Sequence, residues 1–213
     1  MKVLITLGPT QEPIDSIRFI TTGSSGKMGC FLASEGLKRG HAVTIVAGPV
    51  NIELPDGSSI LRVRTAAEMT DTTLKELKKG FDLLISTAAI ADYTPSKKAE
   101  GKIKSGKKDL KIALVPTLKL TKEARERYPK LRIMAFKAEH AVSEKELIRC
   151  AQSKLAKENL DLIAANDIGK NAFGSNVSEV TVLNRGGILW KSTKESKEKI
   201  AKRIWDIIEK EKE

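Results

Sequence analysis

"KVLITLGPTQEPIDSIRFITTGSSGKMGCFLASEGLKR", residues 2–39, decides the fold. It opens with a β-rich apolar run, "KVLIT" (2–6), and closes with an amphipathic run over 27–39, so a strand feeds a helix. The connection between them, "LGPTQEPIDSIRFITTGSSG" (7–26), is far longer than the few residues of an ordinary strand-to-helix loop. Long loops at that place are functional, because ligands collect beyond the carboxyl ends of parallel strands. Its last part, "TTGSSGKMG" (21–29), has small residues that let backbone N–H groups approach an anion, and the following helix offers its positive end. A P-loop would need glycine five residues before the Gly-Lys pair and a hydroxyl after it, but Thr21 and Met28 stand there. The dinucleotide fingerprint needs glycines at relative positions one, three and six, whereas Gly23, Gly26 and Gly29 recur every third residue. The loop reads as an anion-binding turn of another kind.

The same alternation continues along the chain. Strands are expected at "AVTIVAG" (42–48), "ILRVRT" (60–65), "DLLISTAA" (82–89), "RIMAFKA" (132–138) and "DLIAAN" (161–166), and helices at 66–79, 119–127, 143–158 and 193–211. Strands alternating with helices predict βαβ units around a parallel sheet. In the last helix Ile200, Ile204, Ile207 and Ile208 form one apolar stripe, which reads as packing. "SEVTVLNRGGILWKS" (178–192) predicts a β-hairpin turning at Arg185-Gly186-Gly187. "ADYTPSKKAEGKIKSGKKD" (91–109) carries six lysines between positions 97 and 108 and reads as a basic flap, with a solvated loop as the plain alternative.

The 213 residues suit one large domain or two small ones, and 40% hydrophobic content supplies a sizeable core. A formal charge of +11 favours an anionic partner. With only 4% aromatic residues, stacking platforms for single strands are scarce, so small phosphates come ahead of nucleic acid. Cys30 and Cys150 have no zinc spacing and read as buried free thiols. No apolar run reaches a membrane span, and a soluble cytoplasmic protein is expected.

Tyr93 and Lys97 make the Y-x-x-x-K pair of short-chain dehydrogenases, but Pro95 between them breaks the helix that pair needs. Asn166 and Asp167 in "AANDIG" (164–169) stand at a strand's carboxyl end, where a site residue and ordinary turn chemistry read equally well.

Taken in order, "GPTQEPIDSIRFITTGSSGKMG", "AAIADY", "GKIK", "AFKAE" and "AANDI" followed by "FGSNVSEVTVLN" resemble phosphopantothenoylcysteine synthetase over essentially the whole chain. The resemblance implies a single nucleotide-binding synthetase domain over 1–213, with the flap at about 93–109. The fold it implies is an α/β, Rossmann-like three-layer sandwich with a mostly parallel central sheet, a C-terminal β-hairpin and a basic flap. It implies a cytoplasmic homodimer that joins 4′-phosphopantothenate to L-cysteine in coenzyme A biosynthesis. The carboxylate first attacks the α-phosphate of CTP, with Mg2+, to give an acyl-cytidylate and pyrophosphate; the cysteine amine then displaces CMP. A flavin-dependent decarboxylase, fused or separate, is the implied partner.

By the same resemblance, Lys102, Thr22 and Arg18 act in catalysis, with Lys102 neutralising the triphosphate. Ser86, Thr87, Ala88, Asp92, Pro116, Thr117, Leu118, Phe136 and Lys154 join Lys102 at the nucleotide. Gly23, Ser24, Ser25, Gly26, Lys27, Met28 and Asn166 hold the substrate. No protein metal site is implied, magnesium arriving mainly on the triphosphate. Phe136 is open to a second reading as core. Thr22 stands where many members have asparagine, and Glu158 where the family has a lysine. These departures leave an inactive nucleotide-binding relative as the alternative; a reductase and a nucleic-acid-binding protein are the remoter ones.

Overall fold

The computed structural model describes residues 1–106, 109–170 and 174–211. In chain order its elements are β1 (Lys2–Leu7), β2 (Gln11–Pro13), β3 (Phe19–Thr21), α1 (Lys27–Lys38), β4 (Ala42–Ala47), β5 (Ser59–Arg62) and α2 (Ala66–Leu77). Then follow β6 (Leu83–Ser86), β7 (Tyr93–Pro95), β8 (Leu114–Pro116), α3 (Leu120–Arg127), β9 (Arg132–Glu139) and α4 (Glu144–Lys157). The chain closes with β10 (Leu162–Asp167), β11 (Val177–Ser178), β12 (Thr181–Asn184), β13 (Gly187–Lys191), β14 (Glu195–Ser196) and α5 (Lys197–Lys210).

Eight strands form one sheet in the order β13-β12-β10-β9-β6-β1-β4-β5. From β5 to β10 every pairing is parallel, while β12 and β13 pair antiparallel at one edge. Chain order turns back beside β1: its neighbours are β4, next along the sequence within the sheet, and β6, reached only after β5 and α2. This is the switch point of a doubly wound sheet, where the strand ends open into a crevice.

Alternation along β1 sorts the two faces. Val3, Ile5 and Leu7 pack with Leu32 of α1 and with Ile200, Ile204, Trp205 and Ile208 of α5, all fully buried. Leu4 faces the opposite core, built with Met69 and Leu74 of α2, Ala124 of α3 and Ala151 of α4. The expected three-layer sandwich is therefore present, with α1 and α5 on one face and α2, α3 and α4 on the other. The isoleucine stripe of α5 is core, and Trp205 adds a lock that the stripe did not reveal: its Nε1 donates to the Leu32 carbonyl at 2.8 Å. Arg39, just past α1, pairs with Asp206 and Glu209 near the end of α5. The two helices thus run side by side in the same direction, with both N-termini at the crevice.

The six expected strands and five helices stand within a few residues of their boundaries, and the hairpin turns through Arg185 and Gly186. Three two-stranded ribbons were not expected: β2–β3, β7–β8 and β11–β14. The β7–β8 ribbon corrects the flap, which is an excursion from Tyr93 to Pro116 with paired arms rather than a loop over 93–109. Lys107 and Lys108 of its lysine run lie outside the described residues. Tyr93 and Pro95 sit on a strand, so Tyr93 and Lys97 share no helical face. Cys30 and Cys150 are free thiols but only partly buried, against the expectation of full burial.

Gly29 sets how closely α1 can approach the sheet. A Cβ there would lie 2.4 Å from the Thr87 hydroxyl and 2.5 Å from the Leu7 Cβ. Gly29→Ala should cost about 1–3 kcal/mol by overpacking, read as a lower urea midpoint with an unchanged slope. Gly101→Ala is the control: a Cβ there meets nothing within 4 Å, and stability should stay within about 0.5 kcal/mol.

Candidate functional site

The crevice at the switch point is a cleft of about 1100 Å³. Its floor is the continuation of β1 and β6 beyond the sheet. Thr87 donates through both its amide and its hydroxyl to the Thr6 carbonyl, the amide of Ala89 donates to Gly8, and Pro9 and Ala89 form a last parallel bridge. The hydroxyl of Thr10 accepts from the Ala91 amide at 3.0 Å, and the hydroxyl of Thr117 donates to the Ala91 carbonyl at 2.6 Å. These bonds fix 86–92 along the cleft floor. One wall is β9, which pairs with β6 only as far as Ala135 and then runs on beside β10 from Phe136 to Glu139.

The other wall is the N-terminus of α1. Gly26 takes the N-cap position with φ 72°, and a Cβ there would meet Val50 at 2.8 Å. No side chain caps the helix, and no acid occupies its first turn. Apart from a long 3.5 Å bond from the Lys27 amide to the Ser25 hydroxyl, no side chain among the described residues engages the first-turn amides, and the positive helix end lies at the cleft. Lys27, in that first turn, spans the gap to the Gly174 carbonyl at 2.9 Å and to Asn176 Oδ1 at 2.7 Å.

Charge in the cleft is lopsided. Lys27, Lys119, Lys137, Arg149, Lys154, Lys157 and Lys197 line it against Asp92, Glu139 and Glu158. Each of those carboxylates is held by a lysine: Asp92 by Lys119, Glu139 by Lys137 at 3.0 Å, and Glu158 by Lys154 at 2.7 Å. The Glu158 carboxylate also accepts from the Thr121 hydroxyl. Among the described residues no three His, Cys, Asp or Glu side chains gather as metal ligands. A cleft with this excess of cations suits a polyanion.

The cleft gathers most of the residues expected from sequence. Thr22 and the run Gly23 to Met28 meet Ser86, Thr87, Ala88 and Asp92, together with Thr117, Leu118, Phe136, Lys154 and Asn166. Phe136 lines the cleft and also packs against the α1–α5 core. The Asn166-Asp167 pair divides the same way. Asn166 faces the cleft, while buried Asp167 does turn chemistry, accepting from the amides of Ala141 at 2.9 Å and Gly169 at 2.8 Å.

Three residues stand elsewhere. Pro116 is in the return arm of the flap, and Arg18 and Lys102 do not line the cleft. The reason is how the flap is moored. Asp15, at the turn of the β2–β3 ribbon, accepts from the amides of Ile17, Arg18 and Ile103, and the Arg18 guanidinium donates to the Ile103 carbonyl at 2.5 Å. Ala99 adds a bond to the Ile14 carbonyl. The flap is thus bound to that ribbon, with Lys102 exposed. Lys157, next to Glu158, stands as the substitute for the lysine that the resemblance expects there and does line the cleft, whereas Lys119, Lys137, Arg149 and Lys197 were not expected among its residues.

Fold and cleft define an α/β protein of the doubly wound class with its crevice at the switch point. The chain belongs to the family described as the DNA/pantothenate metabolism flavoprotein C-terminal domain, whose model matches residues 1–211. It is 39% identical over 210 residues to the Coenzyme A biosynthesis bifunctional protein CoaBC of Thermococcus kodakarensis, covering 98% of this chain and 51% of that protein. The protein of the same description from Methanocaldococcus jannaschii is 38% identical over 209 residues, with 98% and 50% covered. This chain spans about half the length of these curated relatives. The solved structure of the DNA/pantothenate metabolism flavoprotein from Streptococcus pneumoniae matches with a TM-score of 0.87 at 25% identity, over 98% of both chains.

The moored flap has a pH signature. Amide hydrogen bonds from Arg18, Ile17 and Ile103, with the Arg18 charge, lower Asp15 from 3.8 to about 2. A carboxylate depressed on folding stabilises above its ordinary value, and that contribution is lost as pH falls towards the folded one. Asp15→Asn should lower the melting temperature at pH 7 and flatten its fall between about pH 4 and pH 2. An acid profile identical to that of the parent chain would assign the mooring elsewhere.

Proposed function

We propose that this chain is a phosphopantothenate–cysteine ligase acting through an acyl-cytidylate, as one synthetase domain over 1–213. The observation that carries this reading is the cleft itself. The residues aligned with synthetase motifs, all but Arg18, Lys102 and Pro116, converge there on an uncapped helix N-terminus with excess positive charge. Relatives described as coenzyme A biosynthesis proteins, matched over nearly the whole of this chain, point the same way.

In the first step the substrate carboxylate attacks the α-phosphorus of CTP, and the bond to pyrophosphate breaks. Catalysis of such a transfer is mainly positioning and stabilisation of moving negative charge. The amides at the start of α1 and the ammonium of Lys27 supply positive charge to a phosphoryl group bound in the cleft. Ser86 to Asp92 present backbone groups to the nucleoside, and Phe136 offers an apolar face. In the second step the cysteine amine attacks the acyl carbon, CMP leaves, and an amide forms. The Thr22 hydroxyl stands where it can hydrogen-bond the acyl-nucleotide, with shorter reach than an asparagine amide. Magnesium enters bound to the triphosphate, since the cleft carboxylates are each engaged by a lysine.

Lys102 and Arg18, moored outside their own cleft, act on the cleft of a second copy in a homodimer. Exposed apolar side chains on the flap arms and the β2–β3 turn, among them Ile17, Tyr93 and Leu114, support a partner on that side. Subunit mixing tests this. Lys102→Ala and Asn166→Ala, each inactive alone, should regain about a quarter of parental pyrophosphate release when co-refolded in equal amounts, because half the dimers carry one intact site. Absence of recovery would place Lys102 in its own chain's cleft or outside the reaction. Parental turnover by Lys102→Ala alone would remove it from catalysis.

A further inference from the structure

Lys197 begins α5, and its placement runs against its surroundings. The parallel pairing of α1 and α5 brings their first residues, Lys27 and Lys197, to the same cleft. Both ammonium groups belong to residues at the positive ends of helices, where cations are unfavourable. Lys27 reaches Gly174 and Asn176, and the Lys197 amide donates to the Asn176 carbonyl at 2.8 Å, so one short segment tethers both residues. Beyond that tether the Lys197 ammonium has no hydrogen-bond or ion-pair partner among the described residues. The neighbouring Glu198 is directed to Lys38, at 3.8 Å. Burial, and then repulsion from the Lys27 ammonium, make Lys197 easier to deprotonate than an ordinary lysine.

Two lysines held together in a cleft, neither with a carboxylate partner among the described residues, form an arrangement that lacks an anion. We infer that Lys197 is a second cationic contact which, with Lys27, grips a phosphoryl group in the cleft. This rests on the proposed ligase reading only for the group's source, which is either the phosphomonoester of the pantothenate substrate or the triphosphate of the nucleotide. The unliganded chain carries the repulsion between the two ammonium groups, and the bound phosphoryl group removes it.

The test uses the full chain with Lys197→Met and Lys197→Arg, and Lys27→Met as a second neutral variant. Without ligand, Lys197→Met should melt at the same temperature as the parent or higher, because a repulsion has been removed. Its affinity for inorganic pyrophosphate, followed by thermal shift, should fall about ten- to a hundredfold, as should that of Lys27→Met, while Lys197→Arg keeps most of it. The source is then read from kinetics. A KM raised for 4′-phosphopantothenate but not for CTP assigns the phosphomonoester, and the converse assigns the triphosphate. Pyrophosphate affinity unchanged in Lys197→Met, or a lower melting temperature with unchanged affinity, would overturn the inference and leave Lys197 a structural residue. A parent chain that makes no product while its pyrophosphate affinity still depends on Lys197 would sink the ligase reading and leave this site standing.

Discussion

The cleft depends on how closely α1 lies against the ends of β1 and β6. Gly29 permits that approach, because any side chain there would strike Leu7 and Thr87. Close packing brings the start of α1 beside the extended segment 86–92, so N–H groups from the helix face backbone and hydroxyl groups at the strand ends. Gly26, in a left-handed conformation, turns the chain into the helix without offering a side-chain cap. The helix therefore engages its first donors only through the long bond from the Lys27 amide to Ser25. A serine or aspartate cap would have stabilised α1 by about 1 kcal/mol and closed the site. Here local stability has been given up for an exposed helix end of positive potential, a common trade at functional sites.

Much of this was legible in the sequence, because its causes are local. The β-rich runs at 2–6, 42–48 and 161–166 and the stripe Ile200, Ile204, Ile207, Ile208 carry their periods within a few turns or pleats. The loop "TTGSSGKMG" marked a cleft-lining helix start by small residues ahead of a helix. The three ribbons escaped notice because strands of two or three residues have no measurable period. The mooring of the flap escaped for another reason. Asp15 and Ile103 are 88 positions apart, and nothing near either residue marks the other as its partner. Lysine runs look alike in sequence whether they cover a cleft or lie against a neighbouring ribbon.

Lys197 illustrates the same limit from the opposite side. On a helical wheel it belongs to the charged face of an amphipathic helix, and its meaning comes only from the parallel pairing with α1. That pairing is fixed far from the cleft, by Trp205 against Leu32 and by Arg39 among Asp206, Glu209 and Glu35. Packing at one end of two helices thus sets the electrostatics at the other. Glu158 is a related case: it binds Lys154 and Thr121 and lowers the positive charge on one wall of the cleft.

The central claim is that the switch-point cleft is where a nucleotide and an acid meet. The most direct measurement is a crystal structure of the chain with CTP and 4′-phosphopantothenate. Both ligands should lie in one cleft, with phosphate oxygens at the amides of the α1 N-terminus and the nucleoside along Ser86 to Asp92. A nucleotide bound away from this cleft, or a cleft left empty at saturating ligand, would contradict it.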